Sequence, residues 1–237
     1  MLGFNHMGRL GQLGNQMFQY ASLKGIAANR GYEYMIPIHA ETVVDALGNH
    51  LRTELFNPFS MKVNTGFMQS EKYVQEPHYE FSEELFNNCP DDVSLWGFFQ
   101  TEKYFKHIED DLREDFTFKR EYIEPYEEVK DMFDNPIALH VRRGDFIQNY
   151  KNHHNLTLDH YENALKEFDD DRQVIIFSDD TNWCKEQEIF SSDRFLACEI
   201  GEPYSELYMM SQCTDFIIAN SSFSWWGAWL STNKDKK

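Results

Sequence analysis

The second half of the chain alternates apolar runs with helical segments, and this pattern constrains the fold more than any other feature of the sequence. The predicted strands and helices, in chain order, cover residues 137–141, 159–168, 174–177, 183–190, 195–200, 204–213, 216–219 and 223–230. Apolar runs without polar interruptions are typical of strands that are buried on both faces of a parallel sheet. The sequence therefore predicts an α/β fold with helices on both faces of a parallel sheet.

A glycine-punctuated loop followed by a helix is the clearest pattern in the first half. The loop is GRLGQLGNQ at residues 8–16, and apolar residues then recur near helical spacing up to residue 28. Asn15 is a suitable N-cap for this helix, and Gly31 stands where a C-cap glycine belongs. Further along we predict a short strand over 32–38, mixed loops over 39–95, a buried strand over 95–100 and a helix over 103–116.

An acidic segment that contains proline separates the two halves. Residues 121–135 carry Pro125, and Pro136 follows directly. Proline and clustered polar residues favour a break between regular elements. A chain of 237 residues can hold two small domains. We therefore predict domains over residues 1–134 and 135–237.

The charge of the chain excludes several classes of partner. Asp and Glu number 40 against 22 Lys and Arg, which gives a formal net charge of −18. Such a balance opposes nucleic-acid binding through a broad basic surface and opposes docking on anionic lipid. No apolar run is long enough to span a membrane and the N-terminus lacks a signal-peptide pattern, so we expect a cytoplasmic protein. The four cysteines show no metal-ligand spacing and are expected to be free thiols.

Polar residues cluster where three predicted strands of the second half end. The residues at these strand ends are His140, Arg142, Arg143, Gly144 and Asp145, then Ser178, Asp179 and Asp180, then Asn220, Ser221 and Ser222. The carboxyl ends of parallel strands meet at one edge of a sheet, where ligands bind. Arginine forks and a serine-led helix N-terminus suit phosphate oxygens, so the pattern indicates a nucleotide-diphosphate site. The Asp pair could also hold a metal, but the arginines already supply countercharge and we expect no metal.

Five segments resemble the α-1,2-fucosyltransferases of the HxRRGD fucosyltransferase superfamily, a group similar to glycosyltransferase family 11. In chain order they are GQLGNQMFQYA at 11–21, LWGFFQTEKYF at 95–105, HVRRGDF at 140–146, IFSDD at 176–180 and ANSSFSWWGAWL at 219–230. Single motifs such as GNQ or RGD are common, whereas the ordered set is specific. The resemblance extends from about residue 8 to 231 and is poor near 39–90.

The resemblance implies a GT-B arrangement in which two Rossmann-like halves face a cleft. It implies an acceptor side in the first half and GDP-fucose binding in the second. The implied reaction is an inverting transfer of L-fucose to a hydroxyl of a galactose-terminated glycan in α-1,2 linkage. Neither a metal nor another cofactor is implied.

The resemblance also implies roles for individual residues. Arg142 grips the pyrophosphate and stabilises the departing GDP, and His140 and Arg143 support that site. The other donor-binding positions are Asp179 at the nucleotide, Ser221, Ser222 and Phe223 at the phosphates, and Gly14, Asn15 and Gln16, which close over the donor. Asp145 is either the base that deprotonates the acceptor hydroxyl or a partner that orients an arginine.

Two alternatives to this function stay open at the sequence level. One is a non-catalytic protein of the same fold that binds a GDP-sugar, and the other is a fucosyltransferase that forms an α-1,6 or α-1,3 linkage. Family members typically extend further beyond the helix at 223–230 than this chain does. A missing terminal element could leave a sheet edge or a core face of the second half uncovered. A partner subunit could supply that element in an oligomer, or the chain could be a minimal or impaired version of the family.

Overall fold

The computed structural model describes residues 1–151 and 154–237, except for the side chains of Asp145 and Gln148. Contacts within the chain divide it into two units, Met1–Phe118 and Lys119–Lys237. The sequence placed the junction later, at 134/135, because the acidic segment resembles a linker. In the structure much of that segment is a helix, Arg120–Glu127 (α4), which packs within the second unit.

The first unit contains a four-stranded sheet in which every pair of neighbours is parallel. Its strands, in the order in which they lie side by side, are β2 (Tyr34–Met35), β1 (Leu2–Gly3), β6 (Val93–Trp96) and β5 (Tyr73–Gln75). A separate antiparallel pair joins β3 (Val43–Val44) to β4 (His50–Leu51). The region from 39 to 95 is therefore composed of loops and short elements, as predicted.

The helix after the glycine loop, α1, spans Leu13–Arg30. Gly31 ends it in the left-handed conformation, with φ 68°, so the predicted C-cap is confirmed. The predicted N-cap is wrong, because Gln12 precedes the first helical residue and Asn15 lies inside the first turn. The other helices of this unit are α2 (Glu83–Asn88) and α3 (Glu109–Asp115), and two 3-10 turns precede α3 at Glu102–Tyr104 and Lys106–Ile108.

The strand predicted over 95–100 lies a few residues earlier, at β6. Gly97 has φ 150° and Phe99 has φ 54°, so the backbone leaves the extended conformation directly after Trp96. The buried carboxylate of Glu76 holds this turn, because it accepts the N–H groups of Phe98 at 2.8 Å and Phe99 at 3.0 Å. Apolar composition alone could not locate this turn.

The second unit contains another sheet of four parallel strands. In spatial order they are β10 (Asp215–Ile217), β7 (Ile137–Val141), β8 (Val174–Ser178) and β9 (Phe195–Ala197). Besides α4, the helices are α5 (Gly144–Gln148), α6 (Leu158–Leu165), α7 (Thr181–Lys185), α8 (Pro203–Ser211) and α9 (Ser222–Leu230). The predicted α/β fold with parallel sheets is confirmed.

Both faces of the second sheet are covered. Residues Ile137, Leu139 and Val141 of β7 belong to a core cluster on one side, together with Tyr161 of α6. Ala138 belongs to a second cluster, which includes residues of α8. The α4 helix packs on α8 through two aromatic pairs, Tyr122 with Tyr204 and Tyr126 with Tyr208, whose ring centres are 5.3 and 5.7 Å apart.

The C-terminal residues cover the outer edge of β10. The N–H of Phe216 donates to the carbonyl of Lys237 at 3.0 Å, and the N–H of Lys237 donates to the Asp215 carboxylate at 2.7 Å. Asn233 donates to the carbonyl of Thr214 at 2.8 Å. The expectation of an uncovered edge at this strand is therefore wrong, because the charged tail itself supplies hydrogen-bond partners.

The four cysteines, Cys89, Cys184, Cys198 and Cys213, are buried and unpaired with one another, as predicted. Burial raises the pKa of the Cys89 and Cys198 thiols to about 11. They act as small core residues. Within the described ranges, none of the helices combines the length and the apolar character needed to cross a membrane.

Candidate functional site

The order in which the chain adds strands to the second sheet reverses at β7, so β7 and β10 form a topological switch point. From β7 the chain proceeds outward to β8 and β9, then returns to place β10 on the other side of β7. In open α/β sheets, ligands bind outside the carboxyl ends of the two strands at such a switch point. The residues that leave β7 begin with Arg142, and those that leave β10 lead into α9 at Ser221. The structure thus brings two of the predicted strand-end groups together, and β8 adds the third beside them.

Arg142 is held by the carboxylate of Asp179. Its Nη1 lies 3.0 Å from Asp179 Oδ2, and its guanidinium carbon lies 5.6 Å from the centre of the Phe146 ring. The other carboxylate oxygen of Asp179 accepts the backbone N–H of Arg143 at 2.9 Å. A Cβ at position 144 would lie too close to Asp179 Oδ2, so a larger residue there would displace this carboxylate from its present position. One carboxylate therefore fixes both the side chain of Arg142 and the turn that follows β7.

Arg143 is bound by two other residues. Its Nε donates to Asp180 Oδ2 at 3.0 Å, and its guanidinium lies over the Trp183 ring with its carbon 3.7 Å from the ring centre. Asp180 also caps α7, because its other oxygen accepts the N–H of Trp183 at 3.1 Å. This engagement within the protein fits a supporting role for Arg143 better than direct contact with a ligand.

Asp180 was predicted at the end of its strand but not as a partner of Arg143, and Trp183 was not among the predicted site residues. The sequence does contain a pattern for this capped turn. An aspartate at a strand end is a natural N-cap, and an aromatic residue three positions later lies in the first helical turn. What the sequence could not show is that this capped turn meets Arg143 from the neighbouring strand. Phe146, which lies beside Arg142, was missed for the same reason.

His140 lies inside β7 and is 5% exposed. Its ring centre is 5.9 Å from that of Phe223, and its Nδ1 is buried without a hydrogen-bond partner among the described residues. Burial, with a smaller contribution from the charge of Arg142, lowers its pKa to about 3. The imidazole is therefore neutral near pH 7 and adds no positive charge behind Arg142.

The N-terminus of α9 lies after β10, with Ser221 as its N-cap. The Ser221 side chain makes no capping hydrogen bond, and Ser221, Ser222 and Phe223 are half-buried. The first N–H groups of a helix have no partner within the helix and carry partial positive charge. A nine-residue helix that begins beside β7 is thus suited to attract an anion.

Among the described side chains of this site the charges balance, although the whole chain is strongly acidic. Two guanidiniums face two carboxylates, and both ion pairs measure 3.0 Å. In the described structure Asp179 and Asp180 each pair with an arginine. The sequence allowed a metal at this Asp pair but favoured none, because the arginines supply the countercharge. Within the described part of the chain, no group of three or more His, Cys, Asp or Glu side chains is arranged to hold a metal ion.

Gly14, Asn15 and Gln16 belong to the first unit and form a separate group at the start of α1. Gln16 is fully buried; its Nε2 donates to the carbonyls of Gly11 at 3.2 Å and Arg52 at 2.9 Å. Its Oε1 accepts the N–H of Glu54 at 2.8 Å. The side chain of Gln16 therefore shapes the glycine loop rather than offering a free amide to a ligand.

Asn15 and Gly14 complete this group. The Asn15 Oδ1 accepts from Gln100 Nε2 at 2.7 Å, and Gly14 is buried in the first turn of α1. Asp145, predicted as a base or as a partner of an arginine, has a side chain outside the described part of the structure. In the described structure the arginine-orienting role belongs to Asp179 and Asp180.

Solved structures define the class of fold. The chain resembles POFUT1 in complex with GDP-fucose, with a TM-score of 0.59 at 10% identity over 97% of this chain and 93% of the other. It also resembles the NodZ α-1,6-fucosyltransferase co-crystallised with GDP, with a TM-score of 0.57 at 13% identity over 91% and 88%. At such low identity the similarity establishes the fold, which is the one found in these fucosyltransferase structures.

The sequence narrows this class to a family. The chain belongs to glycosyl transferase family 11, whose model matches residues 3–237. It is 32% identical to the α-1,2-colitosyltransferase of Escherichia coli, over 93% of this chain and 85% of that protein. The identity is 25% with human galactoside α-(1,2)-fucosyltransferase 1, over 93% of this chain and 63% of that protein. The chain thus spans less than two thirds of the human relative, and the resemblance to α-1,2-fucosyltransferases is confirmed.

Proposed function

We propose that this protein transfers L-fucose from GDP-fucose to a hydroxyl of a galactose-terminated glycan in α-1,2 linkage, with inversion and without a metal ion. The observation that carries the proposal is Arg142, which Asp179 fixes at the switch point of the second sheet beside the N-terminus of α9. Membership of family 11 supports the reaction class, and relatives named as α-1,2-colitosyl- and α-(1,2)-fucosyltransferases support the linkage.

The chemistry requires positive charge at the leaving group. When the bond between the sugar and the phosphate breaks, negative charge grows on the departing GDP. A guanidinium held in place before the reaction stabilises that charge more in the transition state than in the ground state. Arg142 meets this requirement because Asp179 orients it, and it is half-buried, where solvent screens its charge less. The N–H groups at the start of α9 add a second set of donors for phosphate oxygens.

The role proposed for Arg142 can be tested with purified protein. GDP-fucose and N-acetyllactosamine are incubated with excess EDTA, and GDP release and product mass are followed. We expect turnover under chelation, and we expect Arg142→Ala to lower kcat/KM by about 100-fold or more. Arg120→Ala is the matched control, because Arg120 is a well-exposed arginine of the same unit that pairs with Glu124 on its own helix.

The other outcomes separate the alternatives. Turnover that disappears with EDTA and returns with Mg²⁺ or Mn²⁺ would contradict metal independence. GDP binding without transfer to any glycan would favour the non-catalytic GDP-sugar-binding protein. Linkage analysis of the product by NMR distinguishes α-1,2 from α-1,3 and α-1,6 transfer. If Arg120→Ala protein loses GDP binding as Arg142→Ala protein does, the effect is not specific to Arg142, and the assignment of Arg142 to the donor site is contradicted.

Colitosyl transfer is the second candidate for the reaction. It is favoured by one observation, the 32% identity to an α-1,2-colitosyltransferase over 85% of that protein. Parallel assays with GDP-fucose and GDP-colitose, each with the same acceptor, decide between the two donors through the ratio of their kcat/KM values. The cytoplasmic location and the possible oligomer stay predictions.

A further inference from the structure

The first sheet has its own switch point, and an unexplained group of rings lies there. The chain leaves β1 toward β2 on one side and later places β6 on the other side, so the crevice falls between β1 and β6. His6 follows β1 and Trp96 is the last residue of β6. Since ligands bind outside the carboxyl ends of strands at a switch point, these two side chains occupy a second favourable position for a ligand.

Three rings lie close together at this position. The His6 ring centre is 4.1 Å from that of Trp96 and 5.6 Å from that of Tyr73, and the Tyr73 and Trp96 centres are 6.5 Å apart. Tyr73 is 51% exposed, although it is a large aromatic residue that starts a strand. We refer to His6, Tyr73 and Trp96 as the aromatic platform. The exposed half of Tyr73 leaves one side of this aromatic cluster open to a ligand.

A second exposed ring continues the surface. Phe67 is 42% exposed, and its ring centre is 5.2 Å from that of His39. His39 in turn donates from Nε2 to the carbonyl of Asn5, the residue before His6, at 3.0 Å. Asn5 binds the backbone of Met68 through both ends of its amide, at 2.8 and 3.0 Å. These bonds fix the backbone next to His6 and next to Phe67 before any ligand arrives, which lowers the entropic cost of binding.

The chemistry of the platform fits a neutral sugar. Aromatic faces pack against the C–H face of a pyranose ring, while tyrosine O–H, indole N–H and imidazole groups at the ring edges can reach its hydroxyls. Burial lowers the pKa of His6, so the platform carries no positive charge near neutral pH. The nearby carboxylate of Glu76 is already engaged with the N–H groups after Trp96. A charged ligand would therefore find no free counter-ion among these groups.

We propose that the platform of His6, Tyr73 and Trp96 binds a neutral pyranose residue of the acceptor glycan. This proposal rests on the proposed function for the identity of the glycan as an acceptor, and it adds the residues that hold it. The three ring centres lie within 6.5 Å of one another, an extent that suits contact with one sugar residue rather than a stable protein interface.

The test measures glycan binding without the donor. Ligand-observed NMR follows the binding of lactose, N-acetyllactosamine and other neutral disaccharides that end in galactose, N-acetylgalactosamine or N-acetylglucosamine. We expect Tyr73→Ala to weaken binding by roughly 3- to 10-fold and Tyr73→Phe, which keeps the ring, to weaken it by less. The matched control is Tyr79→Ala, because Tyr79 is 77% exposed in the same unit and lies outside the platform. GDP affinity, measured by calorimetry, should be the same in all four proteins.

Two results would overturn the proposal. One is wild-type protein that binds none of the disaccharides, and the other is Tyr73→Ala protein that binds them as wild type does. Neither result depends on the donor, because GDP affinity is measured separately. If the wild-type protein binds no GDP, the proposed function is contradicted, whereas the glycan-binding result still stands.

Discussion

At the scale of single residues, Asp179 determines what Arg142 can do. A carboxylate at this position accepts from the Arg142 side chain and from the Arg143 backbone, and a Cβ at position 144 would displace it. The three residues therefore constrain one another: the carboxylate orients the arginine, and the glycine lets the carboxylate keep its present position. This mutual dependence gives a physical reason for the sequence Arg-Arg-Gly, which the motif alone does not provide.

We predict that Asp179→Asn lowers kcat while leaving GDP affinity within about twofold of wild type. The amide can still accept the N–H of Arg143, but it cannot hold the guanidinium of Arg142 by charge. A misplaced guanidinium costs transition-state stabilisation, for which we expect about 10- to 100-fold in kcat. Calorimetry with GDP and steady-state kinetics check both parts. If Asp179 instead contacts the nucleotide, as the family resemblance implies, GDP affinity falls together with kcat.

A prediction for His140 concerns pH. Its pKa is about 3 in the folded chain against an ordinary value of 6.5, so between these values the unfolded chain binds a proton that the folded chain does not. Acid therefore favours unfolding, by up to about 1.4 kcal/mol for each pH unit in that window. We expect His140→Asn to flatten the loss of stability between about pH 6 and pH 4. Denaturant melts of both proteins across this range provide the measurement, and parallel pH slopes would contradict it.

At the scale of elements, the sequence was informative where one physical effect dominates. The strand predicted over 137–141 matches β7, because full burial demands an unbroken apolar run. Residues 121–135 were misinterpreted because an acidic, proline-containing segment resembles a linker, whereas Tyr122 and Tyr126 bury rings against α8. Asn15 was misjudged because local capping preference could not reveal that a side chain from residue 100 engages it. Tertiary contacts decided both cases.

Gln16 links three segments of the first unit, which leads to a prediction about stability. Removal of the buried Gln16 amide breaks its hydrogen bonds to the Glu54 N–H and to the carbonyls of Gly11 and Arg52. We expect Gln16→Ala to lower the free energy of unfolding of the first unit by about 2–4 kcal/mol. Gln12→Ala is the matched control, because Gln12 is exposed and its side chain makes no capping bond. Denaturant unfolding followed by circular dichroism measures both, and equal midpoints for the two variants would contradict the prediction.

At the scale of the whole molecule, the sequence could predict which side chains meet within the second unit, because parallel strand ends converge. His140, Arg142, Asp179 and Ser221 follow from that rule. The contacts of Arg143 with Asp180 and Trp183 and of Arg142 with Phe146 did not follow, since they depend on side-chain orientation. The aromatic platform of the first unit was also missed, because its rings come from residues 6, 73 and 96 with no shared motif.

The net charge of −18 gives the last prediction, which concerns salt. A diffuse negative field opposes the approach of an anionic donor, and salt shortens the reach of that field from about 10 Å at 0.1 M to about 3 Å at 1 M. Salt also weakens the attraction of Arg142, but that contact is short and half-buried and is screened less than the distant charges. We therefore expect the KM for GDP-fucose to fall as KCl is raised from about 0.05 M to about 0.5 M. The uncharged acceptor is the internal control, because its KM should stay constant. A kcat/KM for the donor that declines steadily with salt would show that the local attraction of Arg142, rather than the field of the whole chain, governs donor capture.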